Sequence, residues 1–162
     1  MRRLRGEDAP AFKAVRLNGL RLHPDAFGSS FEEEVDRPVE AIAEALEAGF
    51  VAGCERSGLL VGVAGYRRNT HRKTRHRGGV WGMYVEPAAR GLGIGERLLQ
   101  AVIDRARGEV EDLLLTVAAH NAPAIALYRR LGFVEYGRDD RALRVDGADI
   151  DELLMKLALS RP

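Results

Sequence analysis

The amino-acid sequence predicts a single α/β or α+β domain built around one central sheet. Strand-like and helix-like hydrophobic patterns alternate along the chain, and no linker-like composition divides it. The segment DLLLTVAA (112–119) is a continuous apolar run, typical of a strand that is covered on both faces. A chain of 162 residues buries roughly two-thirds of its unfolded surface, which is enough for a full core. We therefore treat residues 1–162 as one domain.

Composition and charge argue against several classes of protein. The 25 Lys and Arg residues nearly balance the 24 Asp and Glu residues, so the net charge of +1 gives no reason to expect nucleic acid as a partner. Cys54 is the only cysteine, which excludes an internal disulfide and a thiolate zinc cluster, and we expect no metal. The charged start MRRLRGEDAP does not resemble a signal peptide, and no apolar run approaches the roughly twenty residues of a membrane span. The expected setting is the cytoplasm, away from membranes.

The N-terminal third predicts one short strand and two helices. MRRLRGED forms the strand and a turn, and Asp8 is a suitable N-cap for a helix that runs to about Arg21. HPDAFGSSFEEEVDRP (23–38) interrupts the helical period and predicts a break. A second helix is expected to start at Asp36 with Pro38 and to stop at Gly49.

The rest of the chain predicts strands and helices in alternation. FVAGCERSGLLVGVAGYRRN (50–69) predicts two strands around a turn at residues 56–58, and GGVWGMYVEP (78–87) predicts a third. Apolar residues at helical spacing follow from Ile94 to Ala106. Asn121 predicts the cap of another helix, which Gly132 ends. FVEYGRD (133–139) and IDELLMKLAL (150–159) predict the last two strands.

The segment ARGLGIGERLLQAV (89–102) places Gly91, Gly93 and Gly95 between a predicted strand and an amphipathic helix. A dinucleotide fingerprint requires its third glycine at the position of Glu96 and an acidic residue about twenty residues further on, and both are missing. A nucleoside-triphosphate loop requires Lys followed by Ser or Thr, which is also missing. Unpaired N–H groups at a helix N-terminus attract anions. The loop is therefore a candidate phosphate site, with a tight turn that holds no ligand as the alternative.

Two further features sharpen this interpretation. Residues 90–95 (RGLGIG) fit the pattern R/Q-x-x-G-x-G/A after the strand GMYV, and LLLTVAAHNAPAIALYRRLGFVEYG (113–137) adds Asn121, Tyr128 and the triplet LGF. In this order and spacing, residues 50–159 resemble the GCN5-related N-acetyltransferase (GNAT) superfamily, and HPDAFGSSFEEE (23–34) resembles a bacterial subgroup of it. The resemblance implies a mixed, mostly antiparallel sheet of six to seven strands, splayed between strands 4 and 5 and flanked by about four helices.

The resemblance also implies direct transfer of an acetyl group from acetyl-CoA to a primary amine, without a covalent enzyme intermediate. The main chain of strand 4 would hold the pantetheine arm, and one of its N–H groups would polarise the thioester carbonyl. The glycine loop would hold the pyrophosphate, with the side chain of Arg90 pointing outward, and Tyr128 would donate a proton to the departing thiolate. A core tyrosine is the alternative for Tyr128. The cofactor-binding residues implied are Met83, Tyr84, Val85, Arg90, Gly91, Leu92, Gly93, Ile94, Gly95, Glu96, Asn121 and Tyr128.

The acceptor site and the general base are less well defined by the sequence. In the superfamily the break between the first two helices borders the acceptor site, so its acidic residues could attract an amine. Glu33 is the candidate base, and Phe31, Glu32, Glu34 and His76 are candidate substrate contacts. A solvated acidic segment is the alternative for the glutamates, and a surface position is the alternative for His76.

Three functions stay open at this point. An acetyltransferase for a small-molecule amine is favoured over one for a protein N-terminus or lysine, and a non-catalytic acyl-CoA sensor is the second possibility. The third is an RNA-associated protein that uses the eight Arg, Lys and His residues between positions 67 and 77. Because no aromatic residues alternate with these charges to stack bases, we do not expect nucleic-acid binding. Superfamily members often dimerise, so a homodimer is among the expected states.

Overall fold

A computed structural model describes residues 1–159, which form a mixed seven-stranded sheet flanked by five α-helices. The strands are β1 (Arg2–Arg3), β2 (Phe50–Arg56), β3 (Leu59–Arg68), β4 (Arg77–Val85), β5 (Asp112–Ala118), β6 (Val134–Val145) and β7 (Ala148–Ala158). The helices are α1 (Ala9–Leu22), α2 (Phe31–Val35), α3 (Val39–Ala48), α4 (Ile94–Ala106) and α5 (Ala122–Arg130). The strand order is β1-β2-β3-β4-β5-β7-β6, and every neighbouring pair is antiparallel except the parallel pair β4–β5. This confirms the predicted fold class.

The sheet is splayed between β4 and β5, as the resemblance implies. These strands pair only where Arg77–Gly79 lies beside Asp112–Leu114, whereas β5 pairs with β7 along its whole length. Further along, β4 contains a bulge: two of its residues, Gly82 and Met83, oppose the single residue Ala64 of β3. Gly82 has a φ of 61°, a left-handed conformation that favours glycine. The divergence of β4 from β5 opens a wedge in the sheet.

Helices cover both faces of the sheet, and the period-two alternation of the strands assigns side chains to each face. Val51 and Val63 pack in a cluster with α1 and α3, while Ala52 and Ala64 pack in a cluster with α4. Helix α4 presents its predicted apolar face to the sheet, through the buried residues Ile94, Leu98, Leu99, Val102, Ile103 and Ala106. A packed hydrophobic cluster therefore lies on each face of the sheet that contains the wedge.

The segment that the sequence predicts as a break contains the short helix α2. Ser30 and Glu33 form a capping box: the Glu33 N–H donates to Ser30 Oγ at 3.2 Å, and the Ser30 N–H donates to Glu33 Oε2 at 2.8 Å. This cap accounts for a fifth helix where the sequence predicted about four. Helix α3 begins at Val39 rather than Asp36, directly after Pro38.

The last two strands are longer than the sequence predicts. They join in a tight hairpin at Asp146 and Gly147, both with positive φ values (49° and 82°), as expected for an Asp-Gly turn. Strand β6 is an edge strand with mostly exposed side chains, so it lacks the apolar alternation that would have revealed its second half. Within residues 1–159, no helix combines the length and apolar character needed to cross a membrane.

Candidate functional site

A cleft of about 820 Å³ occupies the wedge between β4 and β5. Its walls come from the end of β4, the glycine loop and first turn of α4, the end of β5, and α5. The segment from His23 to Phe27, between α1 and α2, borders the cleft as well. The sheet topology therefore brings together the glycine loop and the Asn–Tyr helix that the sequence singled out.

The three glycines of the loop have different structural roles. Gly91 and Gly93 have φ values of 77° and 70°, and a Cβ atom at either would meet no other atom within 4 Å. Gly95 has ordinary φ, but a Cβ atom there would lie 3.2 Å from Leu127 Cδ2 and 3.3 Å from Met83 Cε. Gly91 and Gly93 thus give a left-handed turn with bare backbone beside the cleft, whereas Gly95 lets α4 approach α5 and β4.

This loop fits the pyrophosphate of a coenzyme. Gly93 is the N-cap of α4, so the unpaired N–H groups of the first helical turn lie beside the cleft, where the helix dipole favours an anion. A Cβ atom at Gly91 or Gly93 would project into open space rather than into packed protein. Glu96 is the one acidic residue of this turn, and Arg130 lies 3.9 Å from it in an exposed ion pair.

One loop side chain differs from expectation. The side chain of Arg90 does not point away from the protein: its Nε donates to the Val85 carbonyl at 3.0 Å, and its Nη2 lies 2.8 Å from His23 Nε2. Arg90 therefore joins the end of β4 to the end of α1. The side chain of Leu92 is 48% exposed and does not line the cleft, unlike that of the buried Ile94.

Asn121, the N-cap of α5, and Tyr128, within α5, both line the cleft. Asn121 Oδ1 accepts a hydrogen bond from the Ala124 N–H at 3.2 Å, which confirms its predicted role as N-cap. Tyr128 is only 8% exposed, and its hydroxyl is directed at Met83 Sδ, 3.7 Å away. Burial raises the pKa of Tyr128 to about 12, so the phenol is protonated at neutral pH. It is a core residue whose polar end faces the cleft.

Met83, Tyr84 and Val85 form the β4 wall of the cleft. Met83 and Val85 pack with the α4 side of the sheet, and Tyr84 packs with α1 on the opposite side. Burial, together with the neighbouring Glu86 carboxylate, raises the pKa of Tyr84 to about 12. Tyr84 Oη donates to Glu86 Oε2 at 3.3 Å, so its side chain is already engaged away from the wedge.

A second cavity of about 340 Å³, here called the side pocket, adjoins the cleft. Both cavities are lined by Ala26, Phe27, Met83, Thr116 and Tyr128, so Tyr128 lies where they meet. The remaining wall of the side pocket is formed by residues of β3, β4, β5, β7, α1 and the α1–α2 segment, including Arg16, Arg67, Trp81, Gly82, Ser29 and Glu152.

The α1–α2 segment is tied to both sides of the wedge. At one end His23 contacts Arg90 beside β4, and further along Asp25 Oδ2 lies 2.6 Å from His120 Nε2, just before α5. Residues 26–29 of the same segment line the side pocket. These two contacts therefore hold one wall of the side pocket in position.

Glu152 is the acidic residue that lines the side pocket, and it is not among the site residues predicted from the sequence. Burial raises the pKa of Glu152 and the charge of Asp139 adds to this, although a hydrogen bond from Thr116 acts in the opposite direction. Its neighbour Asp151 points the other way, to Arg138 and the Arg141 N–H. The available signal was strand alternation: Glu152 pairs with Ala118 at the end of β5, on the face that borders the wedge.

The residues predicted for the acceptor line neither cavity. Glu33 is exposed and engaged in the α2 capping box, so the structure gives it a capping role and does not bring it to the cleft. Glu34 pairs with Arg16, with Nη2 and Oε1 2.8 Å apart; burial opposes its ionisation, but Arg16 outweighs this and lowers its pKa. The other three lie at the surface or beside it.

Glu32 is exposed on α2, and the ring of Phe31 lies 4.6 Å from the guanidinium carbon of Arg21. His76 is exposed in the β3–β4 loop, where its carbonyl accepts from the Glu111 N–H at 2.7 Å. The basic residues of the β3–β4 loop thus flank a main-chain hydrogen bond that positions the start of β5. Residues 1–159 contain no group of three or more His, Cys, Asp or Glu side chains suited to a metal ion.

Comparison with known proteins identifies the family. The model of the acetyltransferase (GNAT) family matches residues 18–133. The chain is 43% identical over 97 residues to the N-alpha-acetyltransferase RimI of Mycobacterium tuberculosis, covering 60% of each chain. It is 33% identical over 146 residues to a mycothiol acetyltransferase of Acidothermus cellulolyticus, covering 83% of this chain and 44% of that protein. The chain thus spans less than two-thirds of the length of these curated relatives.

Solved structures agree with the fold. A ribosomal-protein-alanine N-acetyltransferase from Brucella melitensis superposes with a TM-score of 0.84 at 30% identity, covering 98% of both chains. The protein yncA of Salmonella typhimurium, solved with its cofactor acetyl-CoA, superposes with a TM-score of 0.86 at 23% identity, covering 99% of this chain and 94% of that one. Since the family model matches well over half of the chain, and the splayed sheet and glycine loop are those of the family, the protein belongs to the acetyltransferase (GNAT) family.

Proposed function

We propose that the protein transfers an acetyl group from acetyl-CoA to the primary amine of a small molecule. The observation that carries this proposal is the junction of two cavities at Tyr128: a long cleft that ends at the glycine loop, and a smaller side pocket. An acyl-transfer site needs such an arrangement, because donor and acceptor must reach one point from separate directions. Family membership supports the same reaction.

The cleft has the parts that an acyl-CoA requires. The N–H groups around Gly91 and Gly93 would hold the pyrophosphate, and Asn121 and the exposed edge of β4 would border the pantetheine arm. The bulge at Gly82 and Met83 leaves main-chain groups of β4 out of the β3 ladder, where an N–H could polarise a carbonyl. Bound acetyl-CoA supplies the thioester whose acetyl group is transferred.

Glu152 and Tyr128 lie where they can act on the two groups whose protonation changes in the reaction. When an amine becomes an amide and a thioester becomes a thiol, nitrogen loses one proton and sulfur gains one. Glu152 is the residue in the side pocket that can accept the first, and its raised pKa makes it a stronger base than an exposed carboxylate. The protonated hydroxyl of Tyr128 donates to the departing sulfur.

The raised pKa of Tyr128 determines whether its hydroxyl transfers a proton to sulfur or only donates a hydrogen bond. A free thiol has a pKa of about 8.5, so full proton transfer from a phenol with a pKa of about 12 is uphill. The main contribution of Tyr128 is therefore a hydrogen bond to the negative charge that develops on sulfur, in a water-poor site where such a bond is strong. The released thiolate then takes its proton from solvent, which balances the proton that the amine gives to Glu152.

The size of the side pocket favours a small acceptor. Its volume of about 340 Å³ is at the lower end of the roughly 300–1,000 Å³ common for small-molecule sites, and residues 26–29 form one of its walls. Relatives named for a protein N-terminus and for mycothiol point to different acceptors, so a protein acceptor is the second candidate. Cytoplasmic location and homodimer formation belong to the same proposal.

Two measurements test this function. Isothermal titration should show acetyl-CoA binding, and absence of binding at millimolar cofactor would overturn the proposal. Release of free thiol should then be followed with polyamines, amino acids, aminoglycosides and peptides. Turnover of a small amine above that of peptides supports the proposal, binding without turnover of any amine favours the sensor alternative, and turnover of peptides alone favours the protein acceptor.

A further inference from the structure

Arg16 is a buried cation in the wall of the side pocket. It lies on α1, is 7% exposed, and its guanidinium carbon lies 4.7 Å from the centre of the Phe27 ring. Its Nε and Nη2 donate to Glu34 at 3.2 and 2.8 Å. Its third nitrogen, Nη1, is buried and has no hydrogen-bond partner among residues 1–159. One end of this guanidinium is therefore satisfied by protein, and the other is not.

The unpaired nitrogen lies in the wall of the side pocket, beside Gly82. A Cβ atom built on Gly82 would lie 3.7 Å from Nη1, and Gly82 is part of both the β4 bulge and the pocket wall. Because Gly82 has no side chain, nothing from that residue fills the space beside Nη1. A buried guanidinium N–H without an acceptor is costly, so an acceptor group is expected at this position.

The charges around the side pocket define what kind of group this is. Arg16 and Arg67 both line it, and the carboxylate that neutralises Arg16, Glu34, stands outside the lining. The side chain of Arg67 is exposed and has no ion pair or hydrogen bond with residues 1–159. Glu152, on β7, is the acidic side chain in the lining. The pocket thus offers cations from α1 and β3, and a carboxylate from β7.

We propose that the acceptor carries a carboxylate near its primary amine, as a free amino acid does, and that Arg16 Nη1 binds this carboxylate. The proposal rests on the acetyltransferase function proposed above and names the class of its substrate. The carboxylate pairs with the α1 side of the pocket, which leaves the amine to face Glu152 and Tyr128. A peptide N-terminus has a neutral amide in place of the carboxylate and would leave Nη1 without its ionic partner.

The first test uses the wild-type protein and therefore does not depend on any variant folding. The rates of thiol release are compared for matched pairs, each an amino acid and its amide, across small, polar and apolar side chains. We expect kcat/KM to be at least about tenfold higher for the acid, the scale of one charge-assisted hydrogen bond. Without carboxylate recognition the amide should react at least as fast, because its amine is less basic and less protonated.

Variants then assign the preference to Arg16. Arg16→Lys keeps a cation beside Glu34 but has one nitrogen in place of three, so the acid-to-amide ratio should fall to within about twofold of unity. Arg21→Lys, on the same helix and outside both cavities, is the matched control and should keep the wild-type ratio. Thermal unfolding of each variant confirms that the compared proteins are folded.

Each result decides the proposal. Equal kcat/KM for acids and amides overturns the proposed carboxylate recognition and leaves the acetyltransferase function intact. The same conclusion follows if Arg67→Gln loses the preference for acids while Arg16→Lys keeps it. If acetyl-CoA binds and no amine is acetylated, the proposed function fails and this inference fails with it. A preference for acids that Arg16→Lys removes and Arg21→Lys retains supports it.

Discussion

Gly93→Ala, compared with Gly58→Ala, separates the backbone requirement of the glycine loop from its contact with a cofactor. Both glycines have left-handed backbone, with φ values of 70° and 78°, and a Cβ atom at either meets nothing within 4 Å. Gly93 lines the cleft at the start of α4, whereas Gly58 lies in the β2–β3 turn and lines neither cavity. The two substitutions therefore impose similar strain at one functional and one remote position.

The two expected effects can be estimated separately. A non-glycine residue in left-handed conformation costs about 1–2 kcal/mol, and for a domain of this size about 2–4 °C in Tm accompanies each kcal/mol. Both variants should thus lose about 2–8 °C. In Gly93→Ala the new methyl group also occupies space beside the N–H groups of α4. Losing one charge-assisted hydrogen bond, about 1.5–3 kcal/mol, raises Kd by about 10- to 150-fold.

Differential scanning calorimetry without ligand and isothermal titration with acetyl-CoA measure these quantities. We expect similar Tm losses for both variants and weaker cofactor binding for Gly93→Ala alone. Acetyl-CoA affinity equal to wild type in Gly93→Ala would refute the assignment of this loop to the pyrophosphate. Equal weakening in Gly58→Ala would show that lost stability, rather than lost contact, explains the effect.

Three other substitutions test the junction of the cavities. Tyr128→Phe keeps the packing against Phe133 and should lower kcat by at least about tenfold with little change in acetyl-CoA Kd by titration. Burial raises the pKa of Glu152, so kcat/KM should rise with pH through that pKa, and Glu152→Gln should abolish this rise. Because burial in the folded protein favours the protonated form of Glu152, ionisation of Glu152 at higher pH lowers the free energy of unfolding. At pH 8 the Tm of Glu152→Gln should therefore equal or exceed that of wild type. The difference should vanish below a pH of about 4, where Glu152 is protonated in both the folded and the unfolded protein. Asp25→Ala breaks a partly exposed pair with His120, so Tm should change little while the KM of the amine rises.

The parts of the fold that the sequence predicted are those with strong local signals. The helix from Ile94 to Ala106 has an uninterrupted apolar face, and DLLLTVAA forms a strand between β4 and β7. The cofactor cleft could be predicted from the sequence because the glycine loop, the cap residue Asn121 and helix α5 are close together along the chain. Helix α2 was missed because its capping box lies in a segment of Gly, Ser and Glu, whose composition is typical of loops.

The side pocket could not be predicted because its residues come from seven separate parts of the chain: α1, the α1–α2 segment, β3, β4, β5, α5 and β7. Arg16 occurs in a helix where an arginine is ordinarily a surface residue, and its burial depends on Glu34 of α2 and Phe27 of the connecting segment. Glu152 faces the wedge only because β7 pairs with β5 in the observed register; a shift of one residue would present Asp151 instead. The sequence clustered its acidic candidates at 32–34, where proximity along the chain suggested a site. The fold uses Glu33 as part of a helix cap and Glu34 as the ion-pair partner of the buried Arg16, and neither of these side chains lines the side pocket.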